Sequence, residues 1–199
     1  YNIVIAFYSF FKVLEISFFA IISYVKKIVI FRFFIKVISV NIIIFIHNSQ
    51  LTMMAQGISN AEIKGHECTL TSTIYSHISV SFNYTYQEAI DKSEISFYKN
   101  NFLPHRPVHT LFFNIKTYYK RLICSYEFHL TGANFRDRVN SDFYYIERKM
   151  FHNVILSYKL FKNLIITGEC KNILDEKKSD IIGYPLPGRS FYGSIQYKF

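Results

Sequence analysis

The stretch FYGSIQYKF at residues 191–199 alternates apolar and polar side chains along its whole length. One set comprises Phe191, Gly193, Ile195, Tyr197 and Phe199, and the other comprises Tyr192, Ser194, Gln196 and Lys198. Because successive side chains of a strand point to opposite faces, the pattern predicts a strand with one apolar and one polar face. Such a strand is typical of a soluble sheet packed on a core. It is equally typical of a membrane barrel with lipid outside and water inside.

The same alternation recurs along the chain, which predicts an all-β protein. It covers residues 14–24, 74–86, 109–119, 121–131, 152–160 and 163–172, and more weakly residues 61–72. Each segment is about ten residues long, and a tilted strand crosses a bilayer with roughly 9–11 residues. Strands of soluble proteins are usually shorter, near 5–6 residues. The segment lengths therefore favour the membrane barrel.

The connections between these segments alternate in length. Residues 71–73, 119–121 and 161–162 form short connections, whereas residues 87–108, 132–144 and 173–187 form long ones that are rich in polar residues. Short turns at one rim and long loops at the other are typical of outer-membrane barrels, whereas a Greek-key sandwich gives no reason for this sorting. The sequence therefore predicts an antiparallel transmembrane β-barrel segment of about eight to ten strands.

The predicted polar face carries side chains that suit water rather than a packed interior. Its members include Ser79, Ser81, Asn83, Asn114, Lys116, Ser125 and Glu127. A self-closed barrel of about eight strands has a narrow interior that side chains must fill. We therefore expect an open sheet, with residues 191–199 as one of its edge strands.

The composition predicts neither an enzyme nor a nucleic-acid-binding protein. Aromatic residues make up 19% of the 199 residues, without any Trp, and the net charge of +9 is spread along the chain rather than collected in a basic patch. The three cysteines form no CxxC or Cys/His cluster, and we recognise no catalytic motif. His105 and His109 flank Pro107 in a predicted loop, which does not suit helical ligand spacing. We expect no catalytic residues, cofactor or metal.

The N-terminal region, residues 1–57, is hydrophobic but harder to assign. Its apolar run is interrupted by Lys26, Lys27, Arg32 and Lys36, and a charge at the centre of a membrane helix costs about 2.5–3.5 kcal/mol on insertion scales. We predict one long strand, or a strand and its extension, over residues 13–30, with a helical hairpin as the alternative. Residues 32–56 show no clean period, and irregular structure is expected before about Asn60. The predicted division is thus 1–57, with one or two barrel strands, and 58–199.

Several short motifs occur in order along the second region. They are NAEIKGHE at 60–67, FNYTYQEA at 82–89, LPHRPVH at 103–109, KNILD at 171–175, GYPLPGRSFY at 183–192 and the terminal YKF. In this order they resemble the C-terminal part of the TonB-dependent outer-membrane receptors, most closely the cobalamin- and siderophore-receptor type. The resemblance begins at about residue 13 and is secure from residue 60 to residue 199. The pair Gly188–Arg189 and the terminal Phe199 are its most specific elements.

The resemblance implies a location in the outer membrane of a Gram-negative cell. It implies an incomplete part of a 22-strand barrel that takes up a scarce nutrient, such as an iron–siderophore or cobalamin. Phe191, Gly193, Ile195, Tyr197 and Phe199 would form the signal that the barrel assembly machinery reads. Lipid and lipopolysaccharide would surround the barrel, and the TonB system would be a partner only if an N-terminal plug is present, because we find neither plug nor TonB-contacting segment in the sequence. The alternatives are a small self-closed barrel with a structural or adhesion role and a soluble β-sandwich.

Overall fold

The computed structural model describes residues 15–24, 27–47, 53–74, 77–181 and 184–199, and their side chains within 60–74, 77–179 and 184–199. Nine strands of this part form one sheet, in which every strand is antiparallel to its neighbours and the order is β1-β2-β3-β4-β5-β6-β9-β10-β13. Their bounds are β1 Glu15–Tyr24, β2 Lys27–His47, β3 Met53–Ile74, β4 Ile78–Asp91, β5 His109–Tyr119, β6 Leu122–Thr131, β9 Lys149–Phe161, β10 Leu164–Lys171 and β13 Ser190–Tyr197. The predicted antiparallel all-β fold is confirmed.

The remaining elements are small and lie in the connections. Strands β7 Asn134–Phe135 and β8 Tyr145–Ile146, of two residues each, pair with each other. The three-residue strand β11 Ser179–Ile181 pairs with the two-residue strand β12 Tyr184–Pro185. A single 3-10 turn occupies Asp142–Tyr144. Within the described residues, no helix is long and apolar enough to span a membrane.

The register divides the sheet into an apolar face and a polar face. Phe113 of β5 lies opposite Phe82 and Phe128, whereas the next residue, Asn114, lies opposite Ser81 and Glu127. Directly paired residues share a face, so the same division extends across the sheet. On β9, β10 and β13 the apolar face holds Val154, Leu156, Ile166, Phe191 and Ile195, among others. The terminal strand is therefore in register with the alternation of all the strands before it.

The apolar face does not enclose a core. Ten residues at apolar-face positions of β5, β6, β9 and β10 are not buried: Leu111, Phe113, Ile115, Leu122, Tyr126, Phe128, Val154, Leu156, Leu164 and Ile166. Leu156 is 47% exposed, and Phe191 and Ile195 are 75% and 73% exposed. A contiguous apolar surface of this kind marks an interaction with another protein or with lipid. It is incompatible with a soluble sandwich, in which one face of the sheet would be covered.

All three cysteines are free and occupy register positions on the apolar face. Cys68 lies opposite Tyr84, Cys124 opposite Leu156, and Cys170 opposite Phe191. Because no cysteine lies opposite another cysteine, none of the three stands in a pairing position for a cross-strand disulfide.

The structure corrects the prediction for the N-terminal region. Irregular structure was expected before Asn60, but β1, β2 and the first part of β3 form regular antiparallel pairs there. The strand, or strand with its extension, predicted over 13–30 is divided in the structure, since β1 ends at Tyr24 and β2 begins at Lys27. The alternation of β2 could not be recognised in the sequence, because Phe34 lies between Arg32 and Lys36 on the polar-face positions of this strand. The division at residue 57 stays a prediction, although β3 runs across it.

The two rims of the sheet differ as the connection lengths predicted. Short connections join β1 to β2, β3 to β4, β5 to β6 and β9 to β10, and in an antiparallel sheet all of these lie at one rim. The opposite rim carries three long connections, which we name loop A (92–108), loop B (132–148) and loop C (172–189). We refer to the two ends as the short-turn rim and the long-loop rim. Strands β1 and β13 form the two edges, so the described sheet is open.

Candidate functional site: the loop layer

Residues 101–103 of loop A pair with the end of β4 at the long-loop rim. Ala61 and Ala89 occupy polar-face positions on β3 and β4, and Leu103 of loop A packs against both. The backbone N–H of Leu103 donates to the Ala89 carbonyl oxygen at 2.8 Å, and that of Asp91 donates to the Asn101 oxygen at 2.9 Å. These small side chains leave room for the loop, which buries the most enclosed apolar cluster of the described residues.

A buried ion pair joins loop B to the end of β4. The Arg138 guanidinium donates to Oδ2 of Asp91 from Nε at 3.0 Å and from Nη2 at 2.5 Å. The two side chains are only 4% and 1% exposed. Burial raises the pKa of Asp91, but hydrogen bonds from Ser93 and Arg138 outweigh it and hold the pKa below its ordinary value. The carboxylate is therefore kept charged and fully engaged at the base of the loops.

Side-chain amides complete the connection between loops A and B. Asn140 accepts from the backbone N–H of Phe102 at 2.7 Å and donates to its carbonyl oxygen at 2.9 Å, as a neighbouring strand would. Asn101 donates to the carbonyl oxygen of Arg138 at 2.8 Å. The Arg138 guanidinium also lies 4.0 Å from the ring centre of Tyr98, where cation and ring attract. These contacts make loops A and B one packed unit.

Loop C is organised around Asn172, which directly follows β10. Its side chain is buried, donates to the carbonyl oxygens of Glu176 (3.0 Å) and Pro187 (3.3 Å), and accepts from the Glu176 N–H (2.9 Å). Its backbone takes a left-handed φ of 49°, which asparagine tolerates better than most residues. One amide thus holds both ends of a long loop, and an ion pair between Glu147 and Lys178 connects loop B to loop C.

The predicted motif Gly188–Arg189 lies against the KNILD motif at 171–175. The backbone N–H of Arg189 donates to Oδ1 of Asp175 at 2.8 Å, and this bond is the main cause that lowers the pKa of Asp175. A Cβ on Gly188 would lie 2.6 Å from the same oxygen. A side chain at position 188 would therefore displace the carboxylate that accepts from the Arg189 N–H at the start of β13.

Substitution G188A is expected to destabilise loop C. The new methyl group displaces the Asp175 carboxylate, so the Arg189 N–H loses its acceptor. Hydrogen exchange at the Arg189 amide would measure the loss.

The matched control is D175A, which removes the same acceptor without a clash. In the D175A background, G188A should have almost no further effect, because the two changes break one contact. Fully additive effects of the two substitutions would show that this contact does not anchor the strand.

Tyrosine–histidine pairs across strands were not predicted from the sequence. The Tyr84 hydroxyl lies 2.9 Å from Nδ1 of His109, and the Tyr126 hydroxyl lies 2.7 Å from Nδ1 of His152. Both pairs lie on the apolar face, where each polar group needs a partner. The only signal for them is the cross-strand register, which the sequence does not reveal.

His105 and His109 do not lie together in one site. His109 is on β5, whereas His105 lies in loop A with its N–H bonded to the Phe135 carbonyl oxygen at 2.7 Å. Burial and the nearby Arg136 charge lower the pKa of His105. Among the described residues, no three His, Cys, Asp or Glu side chains are grouped to hold a metal ion.

The five predicted assembly-signal residues lie at the free edge of the sheet. Phe191, Ile195 and Tyr197 are exposed on the apolar face, and the Tyr197 and Phe199 rings meet at 5.1 Å, edge to face. Gly193 pairs with Gly168, and a Cβ on either would meet nothing within 4 Å. The strand therefore presents an uncovered apolar surface beside an unpaired backbone edge.

Solved structures similar to this chain are receptors and transporters. The siderophore receptor PiuA from Acinetobacter baumannii matches with a TM-score of 0.73 at 14% identity, over 93% of this chain and 28% of its own. The ferric-catecholate import receptor Fiu from E. coli K12 gives 0.68 at 17%, over 93% and 27%. The ferric citrate transporter FecA gives 0.72 at 15%, over 93% and 31%. No protein-family model and no curated protein matches the sequence.

At these identities the likeness establishes the fold, and it agrees with the resemblance carried by the sequence motifs. The chain spans between 27% and 31% of the length of the three structures. The described residues therefore have the antiparallel sheet fold found in part of each of these receptors and transporters.

Proposed function

We propose that this chain forms part of the barrel of an outer-membrane receptor that takes up a scarce, bulky nutrient, and that it is not an enzyme. The observation that supports this most directly is the sheet itself. Its apolar face is uncovered, its opposite face is polar, and loops A, B and C lie together at one rim. This arrangement suits lipid outside, water inside and a ligand arriving at the loops.

An iron–siderophore or cobalamin is the proposed kind of nutrient. The similar structures include a siderophore receptor, a ferric-catecholate import receptor and a ferric citrate transporter. On the polar face, Asn114 donates to Ser125 at 2.8 Å and to Glu127 at 3.3 Å, which gives a hydrated, hydrogen-bonding wall. The small self-closed barrel is disfavoured, because the two edges of the described sheet are not paired with each other.

Uptake is tested by deleting the complete gene and restoring it on a plasmid. Accumulation of labelled ferric siderophores and cobalamin is compared in cells grown under limitation of each nutrient. We expect one of these nutrients to accumulate several-fold less in the deletion strain and to recover on complementation. Unchanged accumulation of all of them, with the protein present in the outer membrane, would favour the structural or adhesion role.

The proposed orientation places the loop layer outside the cell. Cysteines introduced at Lys177 of loop C and at Lys162 of a short turn should react differently with a membrane-impermeant maleimide on intact cells. We expect labelling at position 177 and none at position 162 until the outer membrane is permeabilised. The reverse pattern would show that the orientation is wrong.

The proposed partners of the terminal strand are the barrel assembly machinery, membrane lipid and lipopolysaccharide, with the TonB system added if a plug precedes this chain. Removing Phe199 is expected to lower the amount of protein in the outer membrane several-fold, because the exposed ring ends the apolar row of β13. Substitution K198A is the matched control, since Lys198 belongs to the polar set. Equal amounts for both variants in outer-membrane fractions would argue against an assembly signal.

A further inference from the structure

Positive charge is concentrated at the short-turn rim of the sheet. Its turns and the adjoining strand ends carry five exposed cations: Lys120, Arg121, Lys159, Lys162 and Lys198. The described part of these turns contains no aspartate or glutamate, and the acidic residues of β6 and β10 lie inside their strands. The five cations are scattered along the sequence and form no basic run. Only the antiparallel order of the strands brings them to one rim.

Backbone hydrogen bonds place these cations beside one another. The N–H of Lys159, at the end of β9, donates to the carbonyl oxygen of Arg121 at 2.9 Å. The N–H of Lys198 donates to the carbonyl oxygen of Asn163, which directly follows Lys162, also at 2.9 Å. The turns and strand ends from β5 to β13 therefore form one continuous positively charged surface. We name the five cations together the basic rim.

No ion pair among the described residues involves the basic rim. Lys120 Nζ instead lies 5.4 Å from the ring centre of Tyr119. Arg121 Nη1 donates to the Leu160 carbonyl oxygen at 3.2 Å. At the long-loop rim, several cations have carboxylate partners, which form the pairs Lys99–Glu94, Lys177–Asp175 and Lys178–Glu147. Positive charge without a counter-charge therefore distinguishes the short-turn rim.

The basic rim continues the apolar face through exposed aromatic rings. Tyr119 lies opposite Leu122, and Leu122 lies opposite Tyr158, all at apolar-face positions next to the turns. Tyr197, at the end of β13, is also exposed on that face. Aromatic rings lie at the headgroup level of a bilayer, and the long side chains of lysine and arginine extend beyond them towards water. The order from strand to turn therefore matches the order from hydrocarbon to phosphate.

We propose that the basic rim binds the phosphate groups of anionic phospholipids in the leaflet that surrounds the short-turn rim. Clusters of about four to eight Lys and Arg beside a membrane are typical sites for anionic lipid headgroups. This inference rests on the proposed function, because it requires the apolar face to lie in a bilayer. An acidic protein would match the charge, but it would leave the exposed aromatic rings beside the cations without a role.

The experiment measures which lipid the complete receptor holds at its surface. The receptor is reconstituted into phosphatidylcholine vesicles that contain a trace of spin-labelled phosphatidylglycerol or spin-labelled phosphatidylcholine. Electron paramagnetic resonance gives the fraction of each probe whose motion the protein restricts, and hence the ratio of the two association constants. We expect this ratio to favour phosphatidylglycerol several-fold. It should fall towards one in about 1 M salt, where the Debye length is about 3 Å.

Two triple variants of the basic rim test the role of its charge. K120Q/K162Q/K198Q removes three cations and should lose most of the preference for phosphatidylglycerol, because one lysine near an anionic surface strengthens binding about fivefold. K120R/K162R/K198R keeps the charge and should keep the preference. A preference that survives in the glutamine variant would overturn the proposal.

The matched control K99Q/R106Q/K177Q removes the same charge from exposed positions of the long-loop rim and should keep the preference. The proposal would also be overturned if this control lost as much preference as the glutamine variant of the basic rim, or if the unchanged receptor held both probes equally. A receptor that holds neither probe is not surrounded by lipid, and this separate result would refute the proposed function as well.

Discussion

Substitution F113R is expected to destabilise the folded sheet by about 2–4 kcal/mol, the effect of arginine on the lipid-facing side of a barrel near the bilayer midplane. Phe113 lies at the middle of β5 on the apolar face, between Phe82 and Phe128. An arginine there places a charge where no water or acidic partner is available. Urea unfolding in lipid vesicles, followed by circular dichroism, measures the loss on the complete receptor.

The neighbouring position provides the control. N114R introduces the same side chain at nearly the same depth but on the polar face, beside Glu127. We expect less than about 1 kcal/mol, because an arginine in water with an acidic neighbour is a surface ion pair. If N114R were the more damaging of the two, the assignment of lipid and water to the two faces would have to be exchanged.

Substitution R138M is expected to destabilise the packing of loops A and B at the end of β4 by about 3–5 kcal/mol, because it leaves a buried carboxylate without its partner. Asp91 is 1% exposed and would keep only its bond from the Ser93 N–H, at 2.9 Å. By the relation of about 1.4 kcal/mol per factor of ten, local opening would increase more than about 100-fold. Hydrogen exchange at the amides of Asn101 and Leu103 would report this opening.

An exposed ion pair within loop A is the control for this effect. Lys99 lies 3.9 Å from Glu94, and both side chains are at least half exposed, so K99M should change exchange little. The double variant D91N/R138M should recover part of the loss, since no unpaired charge remains. Equal effects of K99M and R138M would mean that the buried pair does not hold loop B to the end of β4.

The same ion pair predicts a pH dependence. The pKa of Asp91 is lowered in the folded protein, so its contribution is fully present above the unfolded value of about 3.9. It is lost as the pH falls from there through the folded pKa. We therefore expect the Asn101 and Leu103 amides to stay protected at pH 5 and to lose protection only in stronger acid, whereas D91N should remove this dependence.

The sequence predicted those parts of the fold whose signal is local. Strand β5 has the bounds 109–119 that its alternation indicated, and β6 begins one residue later than predicted. Each of these strands carries apolar residues on one face and mostly polar residues on the other, so a period of two is visible. Strand β2 carries Phe34 beside Arg32 and Lys36 on its polar-face positions, and there the same method failed.

The candidate site depended on contacts that no local pattern encodes. Asp91 and Arg138 are 47 residues apart, and their meeting depends on how loops A and B cross the rim. The Tyr84–His109 and Tyr126–His152 pairs depend on register between strands. By contrast, Gly188–Arg189 was identified because both residues belong to one short motif, although its contact with Asp175 became visible only in the structure.

The placement of the three cysteines has a consequence for the chemistry of the chain. Cys68, Cys124 and Cys170 all lie on the face that would meet hydrocarbon, and none lies opposite another. Thiol oxidation and alkylation proceed through the thiolate, an anion that hydrocarbon does not solvate. Once the chain is inserted in a membrane, its three sulfhydryl groups would thus react only slowly with oxidants and maleimides dissolved in water.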